Sequence, residues 1–143
     1  MLVRRLLALS LLAVGLLGAP MPAHANAADD ADMVRYINFS REKRGLHPVR
    51  VSSFLTAKAR DHSQEMAAGG ALWHSDISVG NGHWFWLGQN VGYGSGSVWR
   101  LHLAFMASPP HKANILKREA NLVGVGTVRR GGLLWVTVNL EDG

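Results

Sequence analysis

Histidine is the side chain of this sequence best suited to chemistry. The chain has seven histidines and no cysteine, so thiol catalysis is excluded, and neither a G-x-S-x-G elbow nor an H-E-x-x-H zinc motif occurs. His74 and His111 stand out because each lies at the edge of an ordered segment, beside apolar residues that would hold it in place. Two neutral imidazoles converging on one cavity could bind a metal ion or a ligand. The competing interpretation of His111 is structural, since it follows two prolines in a sharp bend.

Other histidines favour other interpretations. His62 falls on the apolar face of a predicted helix, so we expect a buried ring whose nitrogens bond to backbone groups. His47 stands beside a proline in a turn and should be solvated. His102 has apolar neighbours at helical spacing, which leaves a core position and a functional position both open.

The first residues have the pattern of a secretory signal peptide. A short basic start precedes an apolar run at 6–19, and Ala23-His24-Ala25 is a small-x-small cleavage site. The run is shorter than a comfortable membrane span. We therefore predict a signal peptide at 1–25, cleaved after Ala25, and one domain at 26–143 without a membrane span, secreted to the cell envelope or the medium. An uncleaved anchor is the alternative.

Charge and composition exclude further classes of function. The full chain carries a formal charge of +5, and loss of Arg4 and Arg5 with the signal peptide lowers it to +3 (13 basic minus 10 acidic side chains). The remaining basic residues are scattered among acids, so no nucleic-acid binding is predicted. Without cysteine the domain must hold itself by packing, and its five tryptophans are predicted to help fill the core.

Hydrophobic periodicity predicts an α+β domain. It indicates three helices and two strands, at 33–44, 53–68 and 98–106 and at 122–128 and 133–138 respectively. Arg129-Arg130-Gly131-Gly132 predicts a hairpin turn between the strands. Residues 71–97 lack a sustained period and predict a long ordered loop with, at most, short strands. Pro109 and Pro110 predict that the third helix ends before them.

Two polar residues of the first predicted helix are expected to be structural. Asn38 and Arg41 lie three residues apart, so they share a face of the helix. Side chains fixed there would tie the helix to neighbouring loops.

Five ordered motifs resemble the CAP superfamily, the SCP-like extracellular domain of cysteine-rich secretory proteins, insect venom antigens and plant pathogenesis-related proteins. The motifs are INFSREKRGLHPV, AKARDHSQEMAAGGALWHS, LGQNVGYG, FMASPPHKANIL and VGVGTV…LWVTVNL. They run through nearly all of the predicted mature chain and are most similar to the cysteine-free bacterial branch. The resemblance implies an α+β fold, a three-layer α-β-α sandwich with a central antiparallel sheet.

The resemblance also implies a central cleft, which in fuller members holds two histidines and two glutamates and sometimes zinc. By position the histidines are His74 and His111, whereas the first glutamate falls on Gln89 and the second near Ser108. A glutamine keeps size and hydrogen bonding but removes the negative charge and any general base. We expect His74, Gln89 and His111 to line a ligand site, with Gln89 hydrogen-bonded to one histidine. Zinc held by His74 and His111 should bind weakly.

The expected function is that of a secreted, monomeric, non-enzymatic protein. The resemblance implies that its cleft binds a small apolar ligand or a cell-envelope component. The aromatic segment His83-Trp84-Phe85-Trp86 could contribute to binding or merely fill the core. The competing hypothesis is a metal-dependent hydrolase acting at the envelope through His74 and His111. Its missing general base leaves Asp76 as the nearby acid in sequence, provided that Asp76 points into the cleft.

Overall fold

The computed structural model describes residues 24–143, so the predicted signal peptide up to residue 23 lies outside the described residues. This part of the chain contains five strands and four helices. In chain order they are β1 (His24–Ala25), α1 (Ala27–Glu42), β2 (Arg50–Val51), α2 (Ser53–Gly69), β3 (Leu87–Gly94), α3 (Val98–Ala107), α4 (Pro109–Ile115), β4 (Leu122–Arg130) and β5 (Leu133–Glu141). None of the helices in this range is both long and apolar enough to cross a membrane.

The strands form one sheet in the order β1-β4-β5-β3. Every pairing along this path is antiparallel, whereas the short strand β2 pairs in parallel with β4. The turn between β4 and β5 contains Gly131 and Gly132, whose φ angles are +59° and +76°. Both central residues of a type I′ turn need this left-handed conformation, so the glycine pair sets the hairpin as the sequence predicted.

Alternation along β5 separates the two faces of the sheet. One face belongs to a core shared with α1, α3 and α4, and its β5 members are Leu134, Val136, Val138 and Leu140. On the other face Trp135 packs with Met66 of α2, and Asn139 donates a hydrogen bond to the Leu55 carbonyl of α2. Because α2 covers one face and the other three helices cover the opposite face, the domain is the expected three-layer α-β-α sandwich.

Two glycines of β4 let α2 lie directly against the sheet. A Cβ atom at Gly124 would collide with the backbone of Leu55, and one at Gly126 would collide with the backbone at Arg60. Ser63 adds a hydrogen bond from its hydroxyl to the Gly126 carbonyl at 2.8 Å. The distance between α2 and the sheet is therefore set by the absence of two side chains.

Side-chain caps explain where the predicted helix boundaries were wrong. Asn26 accepts hydrogen bonds from the amides of Ala28 and Asp29, so α1 begins at Ala27 and not at residue 33. Ser52 and Ser97 cap α2 and α3 in the same way, and those two helices begin where the sequence predicted. The segment predicted as mostly loop contains the eight-residue strand β3.

The double proline is both a helix end and a helix start. The prediction that α3 ends before Pro109 is confirmed, because α3 stops at Ala107. However, Pro109 and Pro110 then occupy the first positions of α4, where a residue without an N–H is tolerated. His111 therefore lies in the first turn of a helix that the sequence reasoning missed.

Tryptophan fills the core less than predicted. Trp135 is buried with 4% of its surface exposed, whereas Trp73, Trp84 and Trp99 remain 38% to 40% exposed. Aliphatic side chains supply most of the core between the sheet and the helices. Of the five tryptophans predicted to help fill the core, Trp135 is buried in it and Trp86 packs against it.

Candidate ligand-binding site

The candidate site lies at β3, the edge strand beside β5. Gln89 pairs in register with Asn139 and points toward the α2 face, whereas the next residue, Asn90, points toward α4. Successive side chains of a strand alternate between faces. As a result, the His74 ring contacts Gln89 from one side of the strand, and the His111 backbone contacts Asn90 from the other.

All the hydrogen-bonding positions of the Gln89 amide are occupied by protein groups. Its Oε1 lies 2.9 Å from His74 Nδ1 and accepts from the Ser75 amide at 3.0 Å. Its Nε2 donates to Ser75 Oγ at 2.8 Å and to Asn139 Oδ1 at 2.9 Å. The expected contact between Gln89 and a histidine is present, and because two acceptor and two donor positions are filled, Gln89 can influence a ligand only through His74.

Asparagine side chains position His111. Asn90 Nδ2 donates to the His111 carbonyl at 3.0 Å, and Asn114 Nδ2 donates to Asn90 Oδ1 at 2.9 Å. The half-buried His111 ring meets Phe105 edge-on, with 5.1 Å between ring centroids. Burial and, second, the nearby His74 lower the pKa of His111, so this imidazole is neutral at pH 7.

The His74 loop is fixed by another histidine. His74 itself is exposed, and Trp73, expected to anchor the loop by its own burial, is 40% exposed. Instead, His62 Nε2 lies 2.7 Å from the Trp73 carbonyl, and its ring meets the indole edge-on at 5.3 Å. His62 is buried as predicted, and its Nδ1, which makes no hydrogen bond within residues 24–143, lies 3.5 Å from a carboxylate oxygen of the exposed Glu65.

No carboxylate of residues 24–143 is hydrogen-bonded to His74 or His111. Asp76 accepts hydrogen bonds from the amide and the hydroxyl of Ser78, which lower the pKa of its carboxyl group, so Asp76 faces Ser78. Sequence reasoning missed Glu141, a buried acid that accepts a hydrogen bond from Asn81. Within residues 24–143, no group of three or more histidine, aspartate or glutamate side chains is placed to hold a metal ion. Two imidazoles and a saturated amide do not fit a tightly bound zinc ion.

The open question about His102 is answered by its burial. The ring is 1% exposed, and its Nε2 lies 2.8 Å from Ser40 Oγ. Burial, with a smaller effect from the charge of Arg44, lowers the pKa of His102 to about 4. His102 is therefore a neutral core residue whose hydrogen bond is to Ser40.

Asn38 and Arg41 tie α1 to neighbouring loops as predicted. The Asn38 amide pairs with both backbone groups of Val49, accepting at 2.8 Å and donating at 3.1 Å. The fully buried Arg41 guanidinium donates to four carbonyl oxygens, those of His47, Ile115, Lys117 and Ala120.

The aromatic segment before β3 is ordered but open to solvent. Phe85 is 95% exposed and Trp84 is 38% exposed, so of the three aromatic residues only Trp86 packs against the core. Asp142 holds the segment by accepting from the amides of Phe85 and Trp86, both at 2.8 Å. A separate apolar groove of about 290 Å³ lies between α1 and α3, lined by Arg35, Tyr36, Phe39 and Trp99.

A model of the cysteine-rich secretory protein (CAP) family matches residues 34–140, which is 107 of the 143 residues. The chain belongs to the CAP family. This CAP domain is 27% identical over 116 residues to YkwD, an uncharacterized protein of Bacillus subtilis, and the match covers 75% of this chain and 45% of that protein. The chain thus spans less than half the length of this relative.

Solved CAP-like structures share the fold at low sequence identity. An outer surface protein of Borrelia burgdorferi superimposes with a TM-score of 0.75 at 14% identity, covering 85% of this chain and 98% of that one. A cysteine-rich secretory protein of Staphylococcus aureus gives 0.72 at 20% identity, covering 82% and 39%. An extracellular SCP-domain protein of Bacillus anthracis gives 0.71 at 16% identity, covering 81% and 41%. These likenesses support the fold of this chain, and the cysteine-free sequence agrees with the bacterial members of the family.

Proposed function

We propose that this CAP domain is an exported, non-enzymatic binding module whose ligand contacts His74 and His111 at the β3 edge. Gln89 belongs to the same site as the partner of His74. Residues 1–25 would act as the signal peptide, and cleavage after Ala25 would remove β1 from the edge of the sheet. Two similar structures come from proteins described as an outer surface protein and an extracellular protein, which supports export.

The observation that carries the proposal is the arrangement of two histidines on either side of Gln89 and Asn90. The His74 ring is held by Gln89 at 2.9 Å, and the His111 backbone is held by Asn90 at 3.0 Å. The exposed imidazole of His74 and the half-buried imidazole of His111, neither of which is hydrogen-bonded to a carboxylate of residues 24–143, are suited to recognition by hydrogen bonding.

The surroundings favour a cell-envelope component over a small apolar ligand as the partner of this site. His74 is exposed, and its neighbours Ser75, Gln89 and Asn139 are polar. A small apolar molecule gains affinity mainly by burying its surface, and within residues 24–143 neither His74 nor His111 lines an apolar groove. One such groove lies between α1 and α3, and another of about 400 Å³ lies against α4, lined by Met106, Ala107, Pro109, Lys112, Ala113 and Leu116. A polar, hydroxyl-rich envelope component therefore suits the histidine site better.

The competing hypothesis is a metal-dependent hydrolase that uses His74 and His111. A hydrolytic metal site needs about three protein ligands and an open position. The donor set described above offers two imidazoles, and Asp76 is bonded to Ser78. We therefore favour a binding function over a hydrolytic one.

Cosedimentation with isolated cell walls from the host tests the proposal. We expect protein purified from the culture medium to sediment with the walls, and His74→Ala and His111→Ala to lose most of that binding. His47→Ala is the matched control, because His47 is exposed and contributes only its backbone carbonyl to the fold. Equal sedimentation of all four proteins would contradict the site, and native mass spectrometry of the same material would report a retained small ligand.

A further inference from the structure

A chain of side-chain hydrogen bonds runs from the backbone of α2 to the exposed ring of His74. Asn139 Nδ2 donates to the Leu55 carbonyl at 3.3 Å, and Asn139 Oδ1 accepts from Gln89 Nε2 at 2.9 Å. Gln89 Oε1 then lies 2.9 Å from His74 Nδ1. Because these bonds connect one side chain to the next, the orientation of one amide constrains the next.

Backbone groups fix the direction of this chain at two points. The Leu55 carbonyl can only accept, which turns Asn139 so that its NH₂ faces α2 and its oxygen faces Gln89. The Ser75 amide can only donate, and it lies 3.0 Å from Gln89 Oε1. Both ends demand the same orientation of the Gln89 amide, with oxygen toward His74.

We infer that Gln89 and Asn139 lock neutral His74 in the tautomer protonated at Nδ1, which leaves Nε2 as a bare hydrogen-bond acceptor for the ligand. A neutral imidazole has one N–H and one lone pair, and Gln89 Oε1 can satisfy only the N–H. Gln89 is thus a positioning residue that acts through His74. This inference rests on the proposed function only for the identity of the ligand.

His62, on α2, contacts the loop that carries His74, and its neutral ring has the opposite tautomer. His62 Nε2 lies 2.7 Å from the Trp73 carbonyl, an acceptor, so the His62 proton must be on Nε2. Because the contact also fixes the loop that carries His74, the His62 ring reports whether that loop is intact. It is an internal control within the same molecule.

The lone pair of His74 Nε2 defines the class of ligand. A hydroxyl or an amide N–H can donate to it, whereas a carboxylate or phosphate oxygen would face it lone pair to lone pair. Burial and, second, the nearby His74 lower the pKa of His111, so the His111 ring does not attract an anion near neutral pH. The site therefore selects uncharged molecules rich in hydroxyl or amide donors, the chemistry of neutral glycans.

Long-range proton–nitrogen NMR of the histidine rings at pH 8 tests the tautomer in the ligand-free protein. We expect His74 to have a protonated Nδ1 and an unprotonated Nε2, and His62 to have the reverse. A proton on His74 Nε2, or nitrogen shifts averaged between the two tautomers, would overturn the inference whatever the protein binds.

Two Gln89 variants separate positioning from general structure. In Gln89→Met the acceptor is lost, and we expect the His74 nitrogens to move to averaged shifts while His62 keeps its pattern. In Gln89→Glu an acceptor remains, and His74 should stay protonated at Nδ1. If His74 keeps its wild-type pattern of nitrogen shifts in Gln89→Met, Gln89 does not fix the tautomer of His74. Should Gln89→Met fail to fold, the spectra of the wild type and of Gln89→Glu still show which nitrogen of His74 carries the proton.

Two trisaccharides test the ligand class. Uncharged chitotriose, which carries hydroxyl and amide donors, should shift the His74 Nε2 signal, and anionic trigalacturonate should not at pH 8. A larger shift with trigalacturonate, or no shift with either sugar, would refute selection for donor-rich neutral ligands. Cell-wall cosedimentation and ring NMR are independent measurements, so failure of the proposed function and failure of the tautomer lock can be told apart.

Discussion

Two polar networks connect helices to the rest of this domain, one around Arg41 and one around Gln89. At Arg41, four of the five guanidinium N–H groups donate to backbone carbonyls, and the side chain is fully buried. At Gln89 a similar set of bonds ends on the exposed ring of His74. A network that ends inside the protein stabilises the fold, whereas one that ends at the surface can orient a group for a ligand.

The comparison predicts its largest effect for Arg41→Ala. The substitution leaves four carbonyl oxygens without their buried donor, and an unsatisfied buried group costs about 1–3 kcal/mol. We expect the free energy of unfolding, measured in urea, to fall by at least about 3 kcal/mol. Arg44→Ala is the control, because the exposed Arg44 makes one bond, to the Ser40 carbonyl. Equal losses in the two variants would contradict the special role of the Arg41 network.

The buried His102 should make the stability of the fold depend on pH. Its folded-state pKa of about 4 is below the ordinary value of 6.5, so its contribution to stability is complete above pH 6.5 and is lost as the pH falls toward 4. The difference corresponds to about 3 kcal/mol at 1.36 kcal/mol per unit. Urea unfolding between pH 7 and pH 4 should be less pH-dependent in His102→Gln, and an unchanged pH dependence would refute this assignment.

At the network that ends on His74, Gln89→Glu should change the binding of zinc. A carboxylate beside His74 Nδ1 would strengthen zinc binding at Nε2 by roughly 1–3 kcal/mol, since an anion then supports the histidine ligand. Calorimetric zinc titrations of the wild type, Gln89→Glu and His111→Ala measure this directly. Unchanged affinity in Gln89→Glu would separate Gln89 from the site, and tight binding that survives His111→Ala would place the zinc elsewhere.

The smallest effect is expected for Phe85→Ser. The side chain is 95% exposed, so the free energy of unfolding should change by less than about 0.5 kcal/mol. Trp86→Ser is the comparison, because Trp86 packs against the core. This substitution should lower the free energy of unfolding several times more than Phe85→Ser. Equal destabilisation by the two substitutions would show that the segment packs differently.

The sequence predicted those parts of the fold that depend on local pattern. The glycine pair 131–132 sets the hairpin, and serine caps begin α2 and α3 at the predicted positions. The predictions failed where a local rule has two outcomes. Proline ends one helix but can also open the next, as in α4, and the glycines of β3 hide the alternation of a strand that pairs with distant β5.

The candidate site was predictable only in part. The family resemblance brought His74, Gln89 and His111 into one hypothesis, and the structure places His74 against Gln89. Asn139 gave no local signal, because its role depends on register with Gln89 across β3 and β5. Glu141 was missed for the same reason, since the burial of a strand-end acid is decided by tertiary contacts.

The close contact of α2 with Gly124 and Gly126 makes these two positions behave like binding residues in a genetic screen. A methyl group at Gly124 would push away the α2 backbone at Leu55, whose carbonyl anchors Asn139 and, through it, Gln89. A library selected for loss of ligand binding would therefore recover Gly124→Ala together with substitutions of His74. Readers of such data would then find, on the far side of the sheet from His111, an apparent hot spot that touches no ligand.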